Sequence, residues 1–407
     1  MSRGTNLPAV GGFNQAVILD LIRHHPDGLS RVEMAELTGL VPQTISNAAK
    51  KLLDDGLIRE GGKRIHGRGK PRMLLELVPR SRFAVGVHLD PTVTTYVVLD
   101  LQGEIVAHRR TRTPSVADPE KVVAAMAESI ASIIEESEVD PARVYGVGIV
   151  APGPVDLERG IVVDPPLLEG WRNVPLRDAL AVATGMPVVM DKDVNAAVVA
   201  ELWMTGAGER NFAFFYLGTG IGIGLAIGGD VVRGSTGNAG DGGTLVVPAQ
   251  NLPRRRRSEM LGHLATPQYL VDQAVDEGVL EAAPDPHDLA AVDDAFSALV
   301  DKATSGDPDA VRILDRAAEF IAAALVSVIN LLDVDEIIFG GPAWGRLSER
   351  IRLKIAALVS GSPNLFAHQP VRMTDTSVGE DVAAIGAACL VLETRLSPRP
   401  STLLITT

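Results

Sequence analysis

The sequence predicts an α/β protein: a small basic head with two short helices and a hairpin, followed by a larger acidic body of two similar lobes. Three observations carry this. Residues 30–54 hold two amphipathic helical runs joined through a glycine, residues 57–77 alternate as a basic hairpin, and beyond residue 81 a strand meander followed by helices and a buried strand occurs twice. At 407 residues the chain has material for about three folding units of ordinary size. We place them at 1–80, 81–190 and 191–378, with a C-terminal helix at about 379–396 completing the first lobe.

In the first helical run Val32, Ala35, Leu37 and Leu40 fall close to helical spacing, and in the second Ile45, Ala48, Ala49, Leu52 and Leu53 do the same, so each helix is expected to bury one face. Gly39 ends the first where a left-handed residue is needed, and Pro42 suits the opening turn of the next. This is a helix-turn-helix. Its second helix leaves Gln43, Thr44, Ser46, Asn47 and Lys50 exposed, side chains that can reach base edges and phosphates of double-stranded DNA from the major groove. The hairpin after Gly56 collects Arg59, Lys63, Arg64, Arg68, Lys70 and Arg72 and reads as a wing. Its tip, Gly67-Arg68-Gly69-Lys70-Pro71, is slim enough for the arginine to enter a narrow minor groove. The plainer readings are a helical dimerisation tag and a solvated charged loop.

Charge separates head from body. Residues 1–80 carry 12 Lys+Arg against 8 Asp+Glu, a net of +4, whereas the whole chain carries −13, which leaves −17 for residues 81–407. The head supplies salt-dependent attraction to phosphates, and the acidic body discourages indiscriminate contact with DNA. The most apolar helical run, 321–332, is too short to span a bilayer, and the amino terminus has no signal-peptide core, so a soluble cytoplasmic protein is expected, on the nucleoid when bound to its operator. The single cysteine, Cys389, lies among alanines and leucines and reads as a packed core thiol. Within one chain it excludes disulfide frameworks and cysteine-rich zinc sites.

In the body, residues 83–89, 94–100 and 104–108 would form an antiparallel meander, followed by a helix at about 119–138 and a buried strand at 144–150. The order recurs: strands at 212–217, 222–227 and 231–232, long helices through 267–332, and a buried strand at 336–339. Strands that pair first and then alternate with helices indicate mixed sheets. Two such lobes in tandem with a cleft between them describe the actin-like, ribonuclease-H-like sugar kinase fold.

The winged helix with its Gly-Arg-Gly-Lys-Pro tip, Ala151-Pro152-Gly153-Pro154-Val155-Asp156, Gly170-Trp171, Asp193-Val194-Asn195-Ala196-Ala197 with Glu201, Gly218-Thr219-Gly220-Ile221-Gly222, Gly340-Gly341 and Gly386-Ala387-Ala388 together resemble the ROK family (repressors, open reading frames and sugar kinases) over nearly the whole chain. The likeness is to its repressor branch, in which a winged helix precedes a kinase-like body.

The resemblance places Asp193 at the position of the family's general base, which would take the proton from an attacking sugar hydroxyl. As residues alone, an aspartate there can equally be the N-cap of the helix beginning at about Val194. Gly218, Thr219 and Gly220 match the second phosphate loop, and Gly340 and Gly341 match the adenosine-side turn. Tight turns between strands, or from strand to helix, would demand the same glycines. Gly153, Lys192, Asp193, Asp241 and Thr244 are the candidate ligand contacts.

Departures from the family pattern are equally informative. The kinases' Asp-x-Gly-Gly-Thr phosphate loop is here His88-Leu89-Asp90-Pro91-Thr92, where Pro91 removes a donor and stiffens the backbone. Their Gly-Glu-Ile-Gly-His segment is Gly240-Asp241-Gly242-Gly243-Thr244, and the zinc-binding cysteines that follow are replaced by Pro253-Arg254-Arg255-Arg256-Arg257, so no metal is expected. The arginine run reads as a solvated loop, with a second DNA or partner contact as the alternative. The asparagine before the catalytic aspartate is Lys192 and the one before Gly170-Trp171 is Leu167. Lys192 suits an anionic sugar derivative, or else pairs with Asp191 or Asp241.

The reading is therefore a DNA-binding transcriptional regulator, a repressor in the first instance, whose body forms a homodimer or dimer of dimers and responds to a small-molecule effector without phosphorylating it. No catalytic residue, cofactor, metal or membrane partner is expected, and the glycine turns and Asp193 are vestigial nucleotide and base positions. The alternative is an ATP-dependent sugar kinase with an appended DNA-binding head.

Overall fold

The structure is a computed structural model that describes residues 7–64, 71–113, 118–166, 168, 170–206, 210–248, 259–347 and 349–396. Arg68, Lys70, Leu167, the 254–257 arginine run and the side chain of Arg64 lie outside the described residues.

The head opens with helix α1 (Leu7–Arg23), which the sequence reading does not anticipate, followed by β1 (Leu29–Ser30), α2 (Arg31–Thr38), α3 (Pro42–Asp54), β2 (Ile58–Arg64) and β3 (Arg72–Leu77). Ser30 and Glu33 start α2 with a reciprocal cap: Glu33 N–H donates to Ser30 Oγ at 3.3 Å, and Ser30 N–H donates to Glu33 Oε2 at 2.7 Å. Gly39 closes α2 at φ 68°, and Pro42 is the first residue of α3. The inward face of α2 differs from expectation. Val32 and Leu37 are exposed, and Met34 is the side chain that reaches the core, flanked by half-buried Ala35 and Leu40. On a helix only two turns long, apolar side chains at four positions do not define a single face. In α3 the expected residues Ile45, Ala48, Ala49 and Leu52 are buried. Strands β2 and β3 pair antiparallel from Ile58↔Leu77 to Arg64↔Arg72, with β1 on the other side of β3.

Strands β4 (Phe83–Leu89), β5 (Val93–Asp100) and β6 (Ile105–Arg112) form the predicted meander. Then come α4 (Pro119–Glu136), β7 (Val144–Ala151), the short pair β8 (Val155–Asp156) and β9 (Ile161–Val162), α5 (Leu176–Thr184) and β10 (Val188–Lys192). With β7 and β10 parallel to β4, the sheet order is β10-β7-β4-β5-β6.

Helix α6 (Asp193–Thr205) leads to β11 (Phe212–Leu217), β12 (Ile221–Ile227) and β13 (Asp230–Val231). Four helices follow, α7 (Gly262–Ala265), α8 (Pro267–Asp276), α9 (Leu289–Thr304) and α10 (Pro308–Leu332), then β14 (Glu336–Gly340), α11 (Glu349–Ser360), β15 (Arg372–Asp375) and α12 (Val382–Leu396). The second sheet, β13-β12-β11-β14-β15, repeats the plan of the first, an antiparallel meander extended by parallel strands, which is the actin-like duplication expected. No helix among the described residues is long and apolar enough to cross a membrane.

Helices α6 and α12 pack on each other between the sheets, α12 against β4, β5 and β7, α6 against β11 and β12. Glycine permits each close crossing. A Cβ at Gly86 would overlap the Ala384 carbonyl, one at Gly148 the Ala387 carbonyl, and one at Gly386 the Ala196 carbonyl. On the other side, a Cβ at Gly222 would overlap the Val194 side chain. Cys389 sits fully buried in α12, and burial pushes its thiol pKa up, as fits a packed core residue.

Gly148→Ala is expected to cost about 1–3 kcal/mol of stability by forcing α12 off the sheet, read as a lower denaturant midpoint. Gly220→Ala, whose Cβ would meet nothing within 4 Å, is expected to stay within about 0.5 kcal/mol of wild type.

Candidate functional site

Two sites emerge, one on the head and one in the cleft. On the head, burial of Ile45, Ala48, Ala49 and Leu52 turns the opposite face of α3 to solvent, where Gln43, Ser46, Asn47 and Lys50 are exposed and Thr44 is half-buried. Gln43 Nε2 donates to Asn47 Oδ1 at 2.9 Å, one helical turn away, which orders both amides as a flat polar surface. Near the far end of β2 Lys63 is exposed, while Arg59, at the base of the hairpin, is held across the strands by Glu76 at 3.0 Å. The helix face and the hairpin thus present donors, amides and a cation on one small module, the composition a nucleic-acid surface needs.

The cleft site is built from strand ends. Strands β4, β7 and β10 run parallel in one sheet and β11 and β14 in the other, so the turns after them gather at carboxyl ends, the usual ligand position in open α/β sheets. His88 and Asp90 come from β4 and its following turn, Gly153 from beyond β7, Lys192 and Asp193 from the junction of β10 with α6, Tyr216 and Thr219 from β11 and its turn.

Asp193 is the first residue of α6 and Lys192 occupies the N-cap without a side-chain capping bond, so the N-cap alternative for Asp193 is not what the chain adopts. Its carboxylate accepts from Val194 N–H at 2.7 Å. Burial raises the Asp193 pKa above its ordinary value, opposed by His88 and Lys192 and reinforced by Asp90. The Tyr216 pKa is likewise raised, chiefly by burial and then by Asp193 and Asp90. Its hydroxyl is buried with no hydrogen-bond partner among the described residues, and its ring meets His88 edge-on at 6.4 Å.

Lys192 is 7% exposed. Among the described residues it forms no ion pair; its Nζ reaches only the Ala239 carbonyl, at 3.5 Å. The alternative pairing with Asp191 or Asp241 is absent because Asp191 is taken by Arg233 Nε at 2.7 Å and Asn195 Nδ2 at 2.7 Å. Gly153 lies beside this lysine: a Cβ there would stand 3.0 Å from Lys192 Cε and 3.3 Å from Asn238 Oδ1. Asn238 accepts from Val155 N–H and donates to Val155 C=O, both at 2.7 Å, joining the loop after β13 to β8.

Asp241 and Thr244 are exposed and bonded to each other, Thr244 Oγ1 donating to the Asp241 carbonyl at 2.9 Å; among the described residues no hydrogen bond or ion pair joins either side chain to Lys192 or Asp193. Gly340 and Gly341 serve packing: a Cβ at Gly340 would press on the Phe214 ring at 2.6 Å, and Gly341 has φ 103° against the Leu217 carbonyl. Thr219 Oγ1 donates to Asp90 Oδ2 at 3.3 Å across the cleft, and Thr92 N–H donates to Asp90 Oδ1 at 2.8 Å. Gly218 and Gly220 complete that turn, Gly218 N–H donating to the Gly220 carbonyl at 3.0 Å. No group of three or more metal-ligating side chains occurs among the described residues. Sequence reading assigned no role to His88, Asp90, Tyr216 or Asn238; the one available signal was ionisable groups at the end of an otherwise apolar strand.

The model of the ROK family matches residues 84–394, and that of the MarR family matches residues 12–69. The xylose repressor of Bacillus subtilis (strain 168) is 25% identical over 236 residues, 58% of this chain and 60% of that protein. The glucokinase of Thermotoga maritima is 29% identical over 325 residues, 76% of this chain and 97% of that protein. A solved ROK family transcriptional regulator, a homolog of the E. coli MLC protein, superposes with TM-score 0.73 at 22% identity, covering 95% of this chain and 98% of its own, and shares the fold.

Because the Asp193 pKa is raised on folding, the folded state binds that proton more tightly than the unfolded chain. Stability is therefore full below the ordinary value of 3.8 and declines as pH rises through the raised one. Asp193→Asn removes the decline: relative to wild type, its unfolding midpoint is expected to be higher at about pH 7 and unchanged at about pH 3.

Proposed function

The chain belongs to the ROK family, and on that premise we propose that it is a DNA-binding transcriptional repressor whose body senses an anionic sugar derivative without phosphorylating it. The observation that carries the reading is the exposed polar face of α3 beside a basic hairpin, set on a body of sugar kinase type. The units performing these tasks are residues 1–80 for DNA and the two lobes, 81–190 with 379–396 and 191–378, for sensing and dimerisation.

The absence of phosphate transfer is supported by Asp90. Its carboxylate stands between the turns after β4 and β11, tied to Thr219, and adds negative charge where two loops would otherwise close on a phosphate. An anionic effector is supported by Lys192, since a buried ammonium with one long carbonyl contact is costly until a carboxylate or phosphate pairs with it. Gly153, Asp193 and the Tyr216 hydroxyl complete the contacts, with Asp241 and Thr244 at the rim. A two-fold dimer reading half-sites spaced by whole helical turns is the geometric expectation for paired heads. Exposed Leu331 and Phe366 support a dimer surface on the second lobe; Phe366 N–H donates to Asn330 Oδ1 at 2.9 Å, which holds the segment at Phe366 against the end of α10.

Selection of bound fragments from sheared genomic DNA, followed by sequencing, is expected to yield a two-fold symmetric site. Asn47→Ala should relax its sequence preference, and Lys50→Ala should weaken all sites alike and lower the salt slope by about 0.9 per lost phosphate contact. No enrichment over random fragments, together with turnover of a hexose and ATP, would replace this reading with the kinase. In thermal-shift assays, sugar acids and sugar phosphates are expected to stabilise the protein more than the neutral sugars, and Lys192→Met to abolish that difference.

A further inference from the structure

Helix α6 begins at the cleft site and ends against the head. It is 13 residues long, about 20 Å at the usual helical rise. Every residue from Val194 to Trp203 is buried, packed against β12 on one side and α12 on the other, so the helix has no room to bend and displaces as a unit.

Its far end is gripped by one side chain of the head. Arg23, the last residue of α1 and only 5% exposed, donates from Nη1 to the Trp203 carbonyl at 2.7 Å, and its guanidinium lies 4.1 Å from the centre of the Trp203 ring. The other nitrogen, Nη2, pairs with Asp20 of α1 at 2.8 Å. The Trp203 carbonyl is among the last four of α6, which have no partner within the helix, and a cation there is favoured by the helix dipole. The surroundings are equally close. Gln102 Nε2 from the β5–β6 turn donates to the Arg23 carbonyl at 3.0 Å, and a Cβ at Gly206 would press on His24 Nε2 at 3.2 Å. Helix α1 in turn packs along α3, whose outer face is the DNA surface.

We propose that α6 is the rod by which the cleft governs the head, and that Arg23 is the residue that couples them. This rests on the ligand-sensing reading for the site but concerns what happens downstream of it. A group bound at Lys192 and Asp193 acts on the first turn of α6; the last turn moves with it; the forked guanidinium, shared between Trp203 and Asp20, carries the displacement into α1 and so into α3. A guanidinium suits this role because its planar fork fixes direction, which a single ammonium does not.

The test uses the full-length protein and hydrogen exchange of the 7–54 amides, with Asp193→Asn as a fixed change at the near end of the rod. With Arg23 present, Asp193→Asn is expected to change exchange in α1 and α3 by about five-fold or more, the low end for coupled sites. With Arg23→Gln the change should stop within α6, while exchange in the two sheets is the same whether or not Arg23 is replaced. Arg23→Lys, which keeps the charge and loses the fork, gives the same interruption should Arg23→Gln not fold. Persistence of the head response without Arg23, or no response in residues 7–54 with it, overturns the proposal. The ligand-sensing reading fails by a different readout: the thermal shift with sugar acids and sugar phosphates, which does not pass through Arg23.

Discussion

The body's arrangement depends on how closely α12 approaches the first sheet. Gly86 and Gly148 stand on adjacent parallel strands, β4 and β7, and each faces a carbonyl of α12. Gly386 then lets α12 lie on the backbone of α6, and Gly222 and Gly224 let α6 lie on β12. Four layers are thereby drawn together, backbone on backbone at these crossings and with buried apolar side chains filling the space around them. Dispersion between backbones at such contacts is available only to glycine and alanine, and these positions leave no space for adjustment. The Gly-Ala-Ala run at 386–388, which reads in sequence as a family signature, is a packing requirement.

That constraint also places the chemistry. With α6 locked between the sheets, its first residue is held at the point where the carboxyl ends of both sheets face each other, and Asp193 meets groups from each. Close by, Asp191 is paired with Arg233 and Asn195, and Glu201 with Thr376. The groups around Asp193 are less fully paired. Its carboxyl pKa is raised, the Tyr216 hydroxyl has no partner among the described residues, and Lys192 has one distant carbonyl. Three ionisable groups gathered where the carboxyl ends of the two sheets meet, one of them a buried hydroxyl without a partner among the described residues, are the pattern of a site shaped for something other than stability.

Legibility in the sequence followed the range of the interactions involved. The cap at Gly39, the buried stripe of α3 and both meanders rest on local spacing, and all were readable. The inward face of α2 was not, because Met34 and not Val32 or Leu37 points at α1 and α3, a matter of how three helices meet. Helix α1 was hidden by Gly11 and Gly12, which lower its intrinsic helicity and leave packing to make up the difference. In the cleft, Lys192 and Asp193 were singled out by the family motif around Asp193-Val194-Asn195, which is contiguous in the chain. His88, Asp90, Tyr216 and Asn238 come from separate elements in two sheets, and no local pattern announces that they converge.

The bonds across the mouth of the cleft are of a size that a small ligand can contest. Asp90 with Thr219, and Asn238 with both backbone groups of Val155, tie one lobe to the other. At about 0.5–1.5 kcal/mol net for each such hydrogen bond, they favour the observed arrangement of the lobes by a few kcal/mol in total. Moving a two-state equilibrium from one part in a hundred to ninety-nine takes a difference of about 5.5 kcal/mol between the states. An effector that paired a carboxylate with Lys192 in only one arrangement of the lobes would gain a charge-assisted bond there, and a second contact at Tyr216 would add to it. Supplying the whole difference would therefore take several polar contacts of the pocket together, with Lys192 and Asp193 at the start of α6 and the Tyr216 hydroxyl on β11 the groups placed to make them.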